Sequence, residues 1–207
     1  MAPIRVAIIG LSASATTSWA SSAHLPYLLS ARGREKYTIV ALCNSTLNAA
    51  KAAIKIYGLS DSTRAYGDPA ELAKDPDVDL VVCCTRVDRH HETIRPSINA
   101  GKSVMVEWPL AQDMLHITDL VTLAREKSVK TVIGQQGRFA PVILKLQELI
   151  REGRIGKVLS SEVRASGGLN NRDVLPEGLK YFLDQAVGGN VLTIGFGHCG
   201  FFISLVG

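Results

Sequence analysis

Arg5-Val6-Ala7-Ile8-Ile9-Gly10-Leu11-Ser12-Ala13-Ser14-Ala15-Thr16-Thr17-Ser18-Trp19-Ala20 decides how the rest of the chain is read. A short apolar run rich in β-branched residues ends at a glycine, and a polar turn leads into helix-forming residues. This is a strand, a turn and a helix. The same unit recurs. Tyr37–Cys43 reads as a second strand and Leu47–Tyr57 as a helix. Pro69–Lys74 reads as a short helix, and Val78–Cys84 is a continuous apolar strand of the kind covered on both faces. Arg89–Ala100 is a helix stopped by Gly101, Ser103–Val106 a strand, Met114–Glu126 a helix and Lys130–Gly134 a strand. Ala20–Ala31 reads as one helix bent at Pro26. Strands alternating with helices specify βαβ units and a parallel, doubly wound α/β sheet.

After Gly137 the pattern changes. Pro141–Arg151 has helical spacing, and Val158–Ala165 alternates as a half-exposed strand would. A helix near Gly178–Asp184 and an apolar segment, Val191–Val206, follow. The expected division is a dinucleotide-binding domain over residues 1–137 and the start of an α/β domain with an antiparallel sheet over residues 138–207. One amphipathic strand does not make a stable sheet. The expectation is therefore a chain shorter than its fold, or one completed by a partner.

Composition narrows the function classes. The 207 residues are 46% hydrophobic and 20% charged, with a net charge of +4 and no run of five like charges. That balance excludes a disordered tail and argues against nucleic acid as partner. The N-terminal apolar run is six residues, too short for a secretory signal, and no stretch is long enough for a membrane span. Cys43, Cys83, Cys84 and Cys199 lack metal-type spacing and read as buried thiols of a reducing compartment, which places the protein in the cytoplasm.

Gly10 stands where a dinucleotide-binding turn belongs. Of the glycine fingerprint only this first glycine is present, and Ser12 and Ser14 offer hydroxyls to phosphate oxygens. Where an NAD-binding fold places a carboxylate for the ribose, the second strand is followed by Asn44-Ser45-Thr46. Nothing there repels a 2′-phosphate, so NADP is expected over NAD. Ser45 or Thr46 also suits the N-cap of the next helix. His24 and His116 read as helix-face residues without a chemical role.

Val106-Glu107-Trp108-Pro109-Leu110-Ala111 resembles the Glu-Lys-Pro end of the fifth strand in the glucose–fructose oxidoreductase, inositol dehydrogenase and rhizopine-catabolism family. Thr85-x-x-x-x-His90, Ala100-Gly101-Lys102 and Leu149-Ile150-Arg151-Glu152-Gly153-Arg154-Ile155-Gly156 carry the same resemblance. Trp19-Ala20, Asn44-x-Thr46-Leu47, Gln136-Gly137-Arg138 and Phe196-Gly197-His198 make it nearest to the fungal branch that contains the galactose-regulon repressor.

The resemblance implies a Rossmann domain with substrate held between it and a second domain. Trp108 stands at the family's lysine, and Ile194 at its aspartate, four residues before His198. His198 alone is then left as the catalytic base. Gly10, Ser12, Ser14, Trp19, Asn44, Ser45, Thr46, Thr85, His90, Glu107, Trp108 and Gln136 are the expected cofactor residues, and Arg138 the expected substrate anchor. The expected function is an NADP-dependent oxidoreductase acting on a sugar-like or secondary-metabolite alcohol or ketone. The alternatives are a non-catalytic NADP-binding co-regulator with a protein partner, and a truncated inactive paralogue. No metal is expected, and the oligomeric state is open.

Overall fold

The computed structural model describes residues 2–15, 18–162, 174–175 and 177–187. Six strands form one sheet: β1 (Ile4–Ile9), β2 (Tyr37–Cys43), β3 (Arg64–Tyr66), β4 (Leu80–Cys83), β5 (Ser103–Glu107) and β6 (Thr131–Gly134). Their order is β3-β2-β1-β4-β5-β6. β1 runs parallel to both β2 and β4, with Ile9 opposite Cys43 on one side and Cys83 on the other. The chain therefore reverses its winding direction between β1 and β4, and the carboxyl ends of these two strands border the crevice where such sheets bind ligands.

Alternation along the strands builds two cores. Ala7, Ile9, Val81, Cys83, Val104 and Val106 face one side and pack against Leu72, Ile94, Ile98, Leu120 and Leu123. Those residues lie on α4 (Pro69–Ala73), α5 (Val87–Asn99) and α6 (Met114–Glu126). Val6, Ile8, Leu42 and Val82 face the other side. There they meet Leu25 on α1 (Leu25–Leu29) and Ala50 and Ala53 on α3 (Leu47–Ile56). With both faces covered, the central strands are apolar at nearly every position.

Side-chain caps set the helix starts. Thr46 Oγ1 accepts from the Ala49 amide of α3, Asp68 from Ala70 of α4, and Asp113 from His116 of α6. The helix expected over Ala20–Ala31 is three pieces. A π-helical turn, Ala20–His24, runs into α1, and α2 (Ala31–Arg34) follows. Ser30 is extended, and its hydroxyl accepts from the Gly33 amide, so it ends one helix and caps the next. Pro26 lies in the first turn of α1, directly after the π-helical turn. β3 was not expected. It is three residues long and held by Arg64, whose guanidinium reaches Asp75 at 2.7 Å.

The chain divides into two compact units, Met1–Ile133 and Gly134–Gly207. In the second, a 3-10 turn (Gln136–Phe139) precedes α7 (Pro141–Arg151), and further 3-10 turns cover Glu177–Leu183 and Gln185–Val187. The strand expected over Val158–Ala165 is absent from residues 158–162, which have no regular structure, and its remainder lies outside the described residues. Val191–Val206 also lies outside them. Cys43 and Cys83 are buried and Cys84 half-buried, all as free thiols. Among the described residues no helix is long and apolar enough to cross a membrane.

Candidate functional site

Gly10 sits at the carboxyl end of β1 with φ +95°, and its amide donates to the Cys43 carbonyl at 3.0 Å. A Cβ added here would lie 2.9 Å from the Cys84 carbonyl oxygen and 3.1 Å from Thr85 Cγ2. Only glycine lets the chain turn this close to the end of β4. Beyond it, Ser12 and Ser14 bring their hydroxyls to 3.3 Å of each other, and the Ser14 amide points at Ser12 Oγ. Tyr57 donates to the Ser12 carbonyl, and Asn44 Nδ2 to the Leu11 carbonyl at 2.9 Å. The polar turn is thus tied to α3 and β2.

A cavity of about 630 Å³ opens beside this turn. Gly10, Ser12, Ser14, Asn44, Ser45 and Thr85 line it, so six of the expected cofactor residues come together. Cys43, Gly67, Pro69, Arg89, Glu92 and Thr93 line it as well and were not expected. The last three follow i, i+3, i+4 spacing and share one face of α5. All three lie within the helix expected from the sequence, but spacing alone does not say which face of it meets a cavity. Asn44 is 8% exposed, and its buried Oδ1 has no partner.

The other expected residues take different positions. Thr46 is occupied as the N-cap of α3. Trp19 is exposed beside the π-helical turn and does not line the cavity. His90 is 1% exposed, with Nδ1 2.8 Å from the Pro109 carbonyl and Nε2 2.8 Å from the Thr85 carbonyl. It braces the loop after β4 against the loop after β5 and turns no nitrogen to the cavity. Burial pushes its imidazole below the usual histidine range, against the opposing pull of the carbonyls. Trp108 is half-buried and precedes Pro109 through a cis peptide bond. Gln136 and Arg138 are exposed on the 3-10 turn of the second unit. Ile194 and His198 lie outside the described residues.

Glu107 has a partner that sequence reasoning set aside. His24 Nε2 lies 2.5 Å from Glu107 Oε1, and both side chains are mostly buried. Cys84 is nearby, its thiol pushed up by burial first and by the Glu107 charge second. One donor atom each from His24, Cys84 and Glu107 fall within 4.8 Å of one another, a set of types that binds zinc-class cations. The hydrogen bond already joins two of the three, so the cluster is satisfied as it stands.

A family model described as an oxidoreductase family with an NAD-binding Rossmann fold matches residues 4–135, and a second, for the Gal80p C-terminal domain, matches residues 141–205. The chain is 36% identical over 195 residues to the dehydrogenase aclE of Aspergillus oryzae, covering 94% of this chain and 52% of aclE. It is 31% identical over 203 residues to the galactose/lactose metabolism regulatory protein GAL80 of Saccharomyces cerevisiae, covering 95% of this chain and 46% of GAL80. A crystal structure of a super-repressor mutant of that Gal80p superposes with a TM-score of 0.88 at 29% identity, over 99% of this chain and 53% of that one. KijD10, a 3-ketoreductase from Actinomadura kijaniata solved with NADP and TDP-benzene, superposes with a TM-score of 0.59 at 26% identity, over 73% of this chain and 43% of that one. The chain spans about half the length of the curated relatives it matches.

Proposed function

This chain belongs to the oxidoreductase family with the NAD-binding Rossmann fold, and from that premise we propose that it binds NADP and serves an oxidoreductase acting on a sugar-like or secondary-metabolite alcohol or ketone. The observation that carries the reading is the cavity at the Gly10 turn. A backbone that a Cβ would block and two serine hydroxyls offer a cradle for a pyrophosphate. The end of β2 supplies Asn44 and Ser45 to the same cavity and no carboxylate.

A bound nicotinamide would supply hydride transfer. The chain's own part is binding and proton handling. Gly10, Ser12 and Ser14 would hold the phosphates, Asn44 and Ser45 the ribose, and Thr85 the edge of the site. An alcohol also needs a base. With Trp108 at the family's lysine, His198 is the residue assigned that task, orienting and accepting the hydroxyl proton.

The second reading is a non-catalytic NADP-binding regulator with a protein partner. Trp108 and Ile194 favour it, because both replace titratable residues of the family pattern by side chains that neither take up nor release a proton. The similarity to GAL80 points the same way.

Calorimetric titration with NADPH and then NADH tests the common part. Tight NADPH and weak NADH binding is expected. No binding by a chain that unfolds cooperatively would overturn it. A panel of polyols, sugars and ketones then separates the readings. Turnover supports the enzyme; bound cofactor without turnover supports the regulator. A Trp108→Lys, Ile194→Asp double variant that gains turnover would tie the silence to those two positions.

A further inference from the structure

The loop after β2 reaches the cavity with little to offer an anion. Asn44 Nδ2 is held by the Leu11 carbonyl, and Thr46 Oγ1 by the Ala49 amide. Ser45 is left with a hydroxyl, and no cation lies between Cys43 and Ala50. A phosphate monoester is close to a dianion at neutral pH, and hydroxyls alone hold it weakly.

The missing charge comes from the opposite wall. Arg89, in the first turn of α5, lines the same cavity as Ser45. It is the one Lys or Arg among the cavity's described lining residues. Its guanidinium is bonded at 2.6 Å to Glu92 across an exposed i, i+3 pair. A pair of that kind is weak, so the guanidinium can exchange a surface carboxylate for a phosphate that accepts two parallel N–H bonds.

We infer that Arg89 is the residue that recognises the 2′-phosphate of NADP, reading it from the helix after β4 rather than from the loop after β2. This rests on the dinucleotide reading above. Glu92 is the counterweight. It shares the cavity wall, and once Arg89 turns to the phosphate its carboxylate stands beside a dianion. The pair therefore sets how strongly the site prefers the phosphorylated cofactor, with Arg89 raising the preference and Glu92 limiting it.

The experiment is calorimetric titration of the full chain with 2′,5′-ADP and with 5′-ADP. The wild type, Arg89→Ala, Arg89→Lys and Glu92→Gln are compared after circular dichroism has shown that each is folded. The wild type is expected to bind 2′,5′-ADP more tightly. Arg89→Ala should lose about tenfold to a hundredfold on 2′,5′-ADP, the range of one charge-assisted hydrogen-bonded contact, and about twofold or less on 5′-ADP. Arg89→Lys should fall between, since an ammonium keeps the charge without the fork. Glu92→Gln should tighten 2′,5′-ADP alone. Equal losses on both probes would overturn the inference, placing Arg89 on the purine or the shared phosphate. No loss on either would overturn it too. A folded wild type that binds neither probe rejects the dinucleotide site itself, whereas normal wild-type binding with an unchanged Arg89→Ala rejects only the role of Arg89.

Discussion

His24 Nε2 and Glu107 Oε1 are 2.5 Å apart across 83 residues of sequence, which ties the helical turn after β1 to the end of β5. Glu107 directly precedes Trp108, so this hydrogen bond holds the chain where it leaves β5.

Breaking that bond should loosen the carboxyl end of β5. Glu107→Ala leaves a mostly buried imidazole without its acceptor and is expected to cost about 1–3 kcal/mol in urea unfolding. Glu107→Gln keeps an acceptor and should cost less. If Glu107→Ala shifts stability by under about 0.5 kcal/mol, the pair does not brace the site.

Gly10→Ala should abolish cofactor binding. The new Cβ would meet the Cys84 carbonyl at 2.9 Å while φ stays at +95°, so the turn must move away from β4. Strain of about 1–3 kcal/mol is the expected stability cost. A variant that still binds NADPH as the wild type does would show that the phosphates lie elsewhere.

The sheet was legible because covered strands leave long apolar runs, as Val78–Cys84 does, and because Gly101 and Gly10 stop elements abruptly. β3 was not, because Arg64-Ala65-Tyr66 is too short to show a period and is fixed by a distant carboxylate, Asp75. Gly10, Ser12 and Ser14 were singled out from their place after the first strand, and they line one cavity. Arg89 and His24 lie in helices that were expected, but which neighbour a helix face meets, the cavity for Arg89 and Glu107 for His24, is set by packing and not by spacing. His90 was singled out because its position matches a family loop, and in the structure its two nitrogens are turned to backbone carbonyls.

His90 predicts a pH effect. Its folded pKa lies below the ordinary value of 6.5, chiefly through burial. Between those two values the unfolded chain binds the extra proton, so stability is full above about pH 6.5 and falls as the pH drops. Thermal unfolding of the wild type at pH 7.5 and pH 5.5 should show this loss. His90→Gln, less stable at both, should show a smaller difference. Equal pH sensitivity in the two proteins would assign the effect to other groups.

Asp75 acts at lower pH, with the opposite charge. Its side chain is 3% exposed, and burial alone would push its pKa up. The Asp77 amide, the Tyr66 hydroxyl and the Arg64 guanidinium outweigh that and hold it below 3.8. Folding therefore gains from the ionised carboxylate above the unfolded value of 3.8, and the gain is lost as the pH falls toward the folded pKa. Asp75→Asn should destabilise the chain at pH 7 and reduce the part of its acid sensitivity that lies below pH 4. Asp75→Ala, which strands three donors at once, should cost on the order of 3 kcal/mol. Because Arg64 anchors β3 through this carboxylate, hydrogen exchange at Ala65 and Tyr66 should rise more than at β1 in either variant. Uniform exchange across the sheet would show that β3 is held by its backbone pairing with β2 and not by Asp75.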